Sequence, residues 1–169
     1  MIFGVNATKT AVVIAQTRQT RIAADHRPGA RFVIGTIRLI PFQVRSGDDL
    51  AELLQTLTTL FAGKSSGRGA GPVLALLGCS SGRFGSCREA IKGEAMVELA
   101  ATRCGLRIVK IAPQSLKKTL GCGKDQKWRD RAGELFNPDG KRPNWSKGVV
   151  GAIAAAFKVA GTARSMIGR

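Results

Sequence analysis

Hydrophobic and polar positions along the chain change period several times, and each change marks an element. Residues 2–6 and 10–16 are mostly apolar and rich in β-branched side chains, with Ala7, Thr8 and Lys9 between them, which predicts a β-hairpin. Residues 17–30 are polar and basic and include Asp25, Pro28 and Gly29, the composition of a loop. Arg31 to Ile40 predicts a third strand, ended by Pro41. Ser46-Gly-Asp-Asp49 then offers a cap and an acidic first turn to a helix running to about Ala62, with Leu50, Leu53, Leu54, Leu57 and Leu60 on one face. Gly63 to Gly71 is a Gly/Ser/basic connection.

Val73 to Leu77 is short and continuously apolar, the pattern of a central strand buried on both faces. A second helix is expected from about Ser86 to Cys104, and Leu106 to Ile111 follows as a strand. Pro113 to Leu120 predicts a short helix, with proline at an early position where its missing N–H costs little. Gly121-Cys-Gly123 forms a hinge before a basic helical stretch around 125–135, and Asn137-Pro-Asp-Gly140 is a turn. Asn144 to about Ala160 predicts a final helix dense in alanine, and the tail carries Arg164 and Arg169. The order is three strands, helix, strand, helix, strand, then helices. Three leading strands suit an antiparallel meander, and two strands each reached through a helix suit parallel additions with right-handed crossovers. The expected fold is therefore α/β, a mixed five-stranded sheet with three antiparallel strands and then two parallel ones, helices covering both faces.

Composition narrows the function. A chain of 169 residues suits one domain with a core that needs no disulfide staples. No apolar run approaches the ~18 residues that cross a bilayer, so no membrane association is expected. The amino terminus is apolar without a basic leader, which points to the cytoplasm. Twenty-seven Lys and Arg against 11 Asp and Glu give a formal net charge of +16. Self-repulsion of that size is relieved by a polyanion, nucleic acid foremost, although a basic surface facing an acidic protein partner has the same composition. Aromatic residues are few and Tyr is absent, so contact through backbone phosphates suits this chain better than a base-stacking platform.

Cys79, Cys87, Cys104 and Cys122 form no C-x-x-C pair, and the lone His26 sits in a Gly/Pro/Arg-rich turn, so neither a zinc site nor a Cys–His nucleophile is expected. No cofactor is called for. The loop Ser80-Ser-Gly-Arg-Phe-Gly-Ser86 lies between a buried strand and a helix start, where glycines and Arg83 suit contact with a phosphate; a plain connection is the other reading. The densest basic stretch holds Lys117, Lys118, Lys124, Lys127, Arg129 and Arg131, with Trp128 inside it and Lys141, Arg142 and Lys147 following. Such a stretch suits phosphate contact with one stacking or wedging ring, or else a solvated face with Trp128 turned into the core.

Two passages carry a resemblance to a known superfamily. One is the opening hairpin, Ile2-Phe-Gly-Val-Asn6. The other is Leu76 to Glu98, a strand, a Gly/basic loop and a helix with a Lys92-Gly-Glu94 step, continued by Val109-Lys-Ile-Ala-Pro-Gln-Ser-Leu-Lys-Lys118. Together they resemble RNase H-like domains of the RuvC type, the Holliday-junction resolvases, and most of all a small bacterial family of RuvC-like domains. The resemblance implies a single RNase H-like domain over residues 1–163 with a basic tail at 164–169. It also implies an acid on the first strand, another at the end of the fourth, and an acidic pair on the last helix, holding two metal ions for in-line phosphodiester hydrolysis. Here those positions hold Asn6, then Leu76, Leu77 and Gly78, then a last helix with no Asp or Glu.

An amide carbonyl offers a hard cation a dipole where a carboxylate offers charge. The expectation is therefore a pseudoenzyme, a catalytically inactive domain with no metal site that binds duplex or branched nucleic acid through its basic face. Two alternatives stay open: a protein-interaction module with an acidic partner, and a metal-dependent nuclease whose site has moved to Glu94 and Glu98, four apart on one helix face. Asp48 and Asp49 read as helix-start residues, and Asp125 and Asp130 as neutralising their basic neighbours. RuvC-type resolvases act as dimers, so a homodimer is compatible with the resemblance.

Overall fold

The structure is a computed structural model that describes residues 1–22, 29–62, 71–79, 87–141 and 145–167. Five strands form one sheet: β1 (Ile2–Ala7), β2 (Ala11–Ile22), β3 (Gly29–Pro41), β4 (Val73–Leu77) and β5 (Arg107–Ile111), in the order β3-β2-β1-β4-β5. β1, β2 and β3 pair antiparallel, and β4 and β5 add in parallel. This is the mixed sheet that the element order predicts.

Alternation along each strand divides the core. Phe3, Val5 and Ala7 of β1, Val12 and Ile14 of β2, and Leu74 and Leu76 of β4 face one side. There they pack on Leu53, Leu57 and Phe61 of α1 (Gly47–Phe61) and on Val97, Ala100 and Ala101 of α2 (Arg88–Arg103). Ile2, Ala75, Leu77 and Ile111 face the other side. They meet α3 (Pro113–Leu120), α4 (Trp128–Phe136) and α5 (Lys147–Ile167) through Leu116, Leu120, Ala132, Val150 and Ala154. Val13 and Ala15 extend this second layer against Val149, Ala152 and Ile153 of α5.

Small residues set how close α5 lies. A side chain at Gly4 would run into the backbone carbonyl of Ala152, so this helix–sheet contact requires glycine. The same device brings α2 down on the opposite face, where a Cβ at Gly93 would stand 2.8 Å from the ring of Phe42.

The expected element boundaries hold closely for α1, β4, β5 and α3, and less well elsewhere. Residues 17–22 and 29–30, expected as loop, continue β2 and β3 as a ribbon in which Arg18 opposes Val33 and Thr20 opposes Arg31, beyond an irregularity between Ala15 and Thr17. Polar composition there describes a ribbon whose ladder satisfies its own backbone away from the core, not a chain without regular structure. The last helix runs to Ile167, past the expected end near Ala160. The loop at 80–86 with Arg83, and Arg142, lie outside the described residues.

Candidate functional site at the ends of strands β1 and β4

Parallel pairing of β1 with β4 places Asn6 beside Leu77 in register, both directed to the α5 side of the sheet. Asn6 Nδ2 donates to the carbonyl oxygen of Gly148, 3.2 Å away, at the start of α5. One turn on, a Cβ at Gly151 would collide with the Asn6 amide and stand 2.9 Å from Leu77 Cδ2. A Cβ at Gly148 would meet Val13 Cγ2 at 2.8 Å and Thr8 Cγ2 at 3.1 Å. The helix is thus seated against the strand ends by contact, with no space between them for longer side chains.

The residues that meet here do not fit a pair of divalent metal ions. Leu77 offers no donor, Asn6 spends its amide N–H on α5, and α5 carries no carboxylate. Among the described residues no group of three or more His, Cys, Asp or Glu side chains converges to hold a metal. Hard cations need several oxygen donors, most of them charged, and this corner supplies none of the charge.

Glu94 and Glu98 lie beside the same strand end and already have partners. Glu94 Oε2 accepts from the backbone N–H of Cys79, 2.9 Å away, which ties α2 to the end of β4. Lys110 Nζ on β5 stands 2.6 Å from Glu98 and 3.9 Å from Glu94. A hydrogen bond to Glu98 and the charge of both carboxylates hold the Lys110 ammonium above its ordinary range. Burial, reinforced by Glu94, pushes the Cys79 thiol up to about 12, so it stays neutral and is no nucleophile at neutral pH.

In front of Asn6 and Leu77 opens a cleft of about 240 Å³. Its other walls are Thr8, Gly78, Cys79, Cys87, Pro113, Trp128, Arg129, Lys147 and Gly148, with no carboxylate among the lining residues. Sequence reading missed the role of Lys147, which is exposed at the first position of α5. The available signal was its position: a cation at the positive end of a helix runs against the macrodipole preference.

The basic stretch forms a surface beside this cleft. Lys117 and Lys118 are exposed on the last turn of α3, Lys124 and Lys127 on the connection to α4, and Arg129 at the start of α4. Arg131 is engaged: its guanidinium is 2.8 Å from Glu134 and reaches the carbonyl of Leu120 at 3.4 Å. Trp128 is turned into the core, 9% exposed, and carries the Arg129 guanidinium over its ring at 4.9 Å. A ring held this way walls the cleft and supports a cation through its π face.

Neither protein-family models nor the curated proteins contain a match to this chain. Solved structures do. The structure of Thermus thermophilus RuvC superposes with a TM-score of 0.69 at 12% identity, covering 98% of this chain and 96% of that one. Thermus thermophilus RuvC in complex with a Holliday junction substrate gives a TM-score of 0.67 at 12% identity, covering 97% and 94%. The sheet order, the helices on both faces and these superpositions over nearly the whole chain establish one thing: the chain has the RNase H-like fold of RuvC.

Proposed function

We propose that this chain is a catalytically inactive RuvC-like domain that binds duplex or branched nucleic acid through the basic surface of α3, the 121–127 connection and the start of α4. The observation that carries the reading is the corner where β1, β4 and α5 meet. It holds Asn6, Leu77, Gly148 and Gly151 in close contact, and hydrolysis by paired metal ions needs carboxylates there. The fold is shared with a RuvC solved on a Holliday junction substrate, which makes a phosphate backbone the first ligand to test. A net charge of +16 supports the same choice. Lys117, Lys118, Lys124, Lys127 and Arg129 are the proposed phosphate contacts, with Trp128 positioning Arg129. Arg131 has a smaller part because Glu134 holds it.

No described helix is long and apolar enough to cross a membrane. A relocated hydrolytic site at Glu94 and Glu98 is disfavoured because Lys110 and the Cys79 N–H occupy both carboxylates.

A mobility-shift titration with duplex and four-way junction over a salt series tests the proposal. About five phosphate contacts predict a slope of log K against log salt near −4 to −5. Absence of micromolar binding at about 50 mM salt sinks it, and retention of a protein partner after nuclease treatment points to an interaction module instead. Magnesium- or manganese-dependent cleavage of the junction, lost in Glu94→Gln, contradicts the inactive assignment.

A further inference from the structure

The cleft in front of Asn6 has a composition that the basic surface alone does not explain. Four helices begin on its walls: α2 just after Cys87, α3 at Pro113, α4 at Trp128 and Arg129, and α5 at Lys147 and Gly148. Each helix start directs N–H groups without intrahelical partners, and a partial positive charge, toward the space ahead of it. At α2, α3 and α4 no side chain caps those N–H groups. Two full cations, Lys147 and Arg129, stand in the lining at the same helix starts.

Positive ends converging on positive side chains repel one another, and nothing in the lining cancels them. The nearest carboxylates are already committed. Glu94 accepts from the Cys79 N–H and faces Lys110, and Glu89 takes the Cys87 thiol hydrogen at 2.6 Å. Asp130 in the first turn of α4 is exposed and is not among the lining residues. The Cys79 thiol is neutral and adds no negative charge. The cavity, about 240 Å³, holds roughly eight times the ~30 Å³ share of one water, room for a tetrahedral oxyanion and the waters bridging it.

We propose that this cleft is a metal-independent phosphate seat in which Lys147, Arg129 and the helix starts supply the positive charge. The source of the phosphate, a nucleic-acid strand, rests on the function proposed above. Asn6 and Leu77 close the back of the seat, and Trp128 fixes the Arg129 guanidinium at its rim. The phosphate belongs either to an internal phosphodiester or to a terminal monoester; both present the same oxygens.

The experiment is a titration of the full-length chain with inorganic phosphate, followed by amide NMR shifts, for the wild type, Lys147→Gln and a Lys117→Gln/Lys118→Gln pair. Saturable shifts concentrated at Gly78, Arg129, Lys147 and Gly148 are expected. Lys147→Gln is expected to weaken this binding at least fivefold, while the α3 pair leaves it unchanged. Magnesium is expected to make no difference. Shifts that never saturate, or equal weakening by both variants, reveal an adventitious surface anion only and overturn the proposal. Duplexes with and without 5′-phosphates then separate the sources. Weakening by Lys147→Gln that persists without end phosphates assigns an internal phosphodiester, and weakening confined to phosphorylated ends assigns a terminal one. Duplex affinity unchanged in Lys147→Gln, with no localised phosphate shifts, removes the seat and leaves the basic surface standing. Localised phosphate binding without duplex binding keeps the seat and removes the nucleic-acid reading.

Discussion

Asn6 holds two elements together through one amide. Its N–H donor meets the Gly148 carbonyl, so the residue that interrupts a metal-ligand pattern also fastens α5 to β1. Asn6→Asp replaces that donor with a carboxylate facing a carbonyl oxygen. The expected cost is about 1–3 kcal/mol in urea unfolding, with no magnesium-dependent cleavage of a junction gained. Cleavage by that single variant would show that the corner needs only one more acid. Cys79 offers a second test at this scale. With its thiol near 12, alkylation of Cys79 at pH 8 is expected to lag far behind a peptide thiol and to quicken only as pH climbs toward that value. Peptide mass spectrometry of the chain labelled across pH reads this directly.

Elements here are fixed by their ends and by what they omit. Helix α1 begins with a reciprocal box: Ser46 Oγ accepts from the Asp49 N–H, and Asp49 Oδ2 accepts from the N–H groups of Ser46 at 2.8 Å and Arg45 at 2.7 Å. Those bonds hold the Asp49 carboxyl below its ordinary value, the Arg45 N–H most and the Ser46 N–H next. A depressed folded value means that the stabilisation is complete above the unfolded value of 3.8 and fades as pH falls through the folded one. Ser46→Ala is expected to cost about 1 kcal/mol in thermal or urea unfolding. Asp49→Asn should lower stability at neutral pH and flatten the acid limb of the stability profile. Helix α5 shows the opposite device, contact through absence. Gly4→Ala places a methyl group against the Ala152 carbonyl, and the sheet–helix gap must widen for the chain to fold. A Tm drop well beyond that of Gly47→Ala, where nothing lies within 4 Å, is the expected readout in calorimetry.

For the whole molecule, a charge of +16 is a standing repulsion. Screening by salt, or neutralisation by a polyanion, relieves it. At low ionic strength the melting temperature is expected to rise on adding duplex DNA and to rise more modestly with salt alone. At high salt the two effects should merge as binding weakens. A melting temperature indifferent to both would mean that the charges are spaced too widely to matter to the fold.

The alternation of residues 2–16, the buried run at 73–77 and the capped, leucine-faced segment at 46–62 are local signals, and each placed its element within a residue or two. Element order then constrained the sheet, because parallel strands need crossovers and hairpins do not. The missing acids at Asn6, at Leu77 and along the last helix are plain in the residues themselves. Polar composition at 17–22 misled, since a ladder of backbone bonds can hold a ribbon that buries little. What the linear order did not contain is proximity. Lys147 and Arg129 come to one cleft only because α4 and α5 start at the same edge of the sheet as α2 and α3, and Trp128 turns inward only because the α3–α5 layer has a place for it. Sequence determined the elements and the dismantled ligand set, because both follow from side-chain chemistry and short-range periodicity. Tertiary structure decided where positive charge converges, because that depends on helix ends far apart in the chain meeting in space.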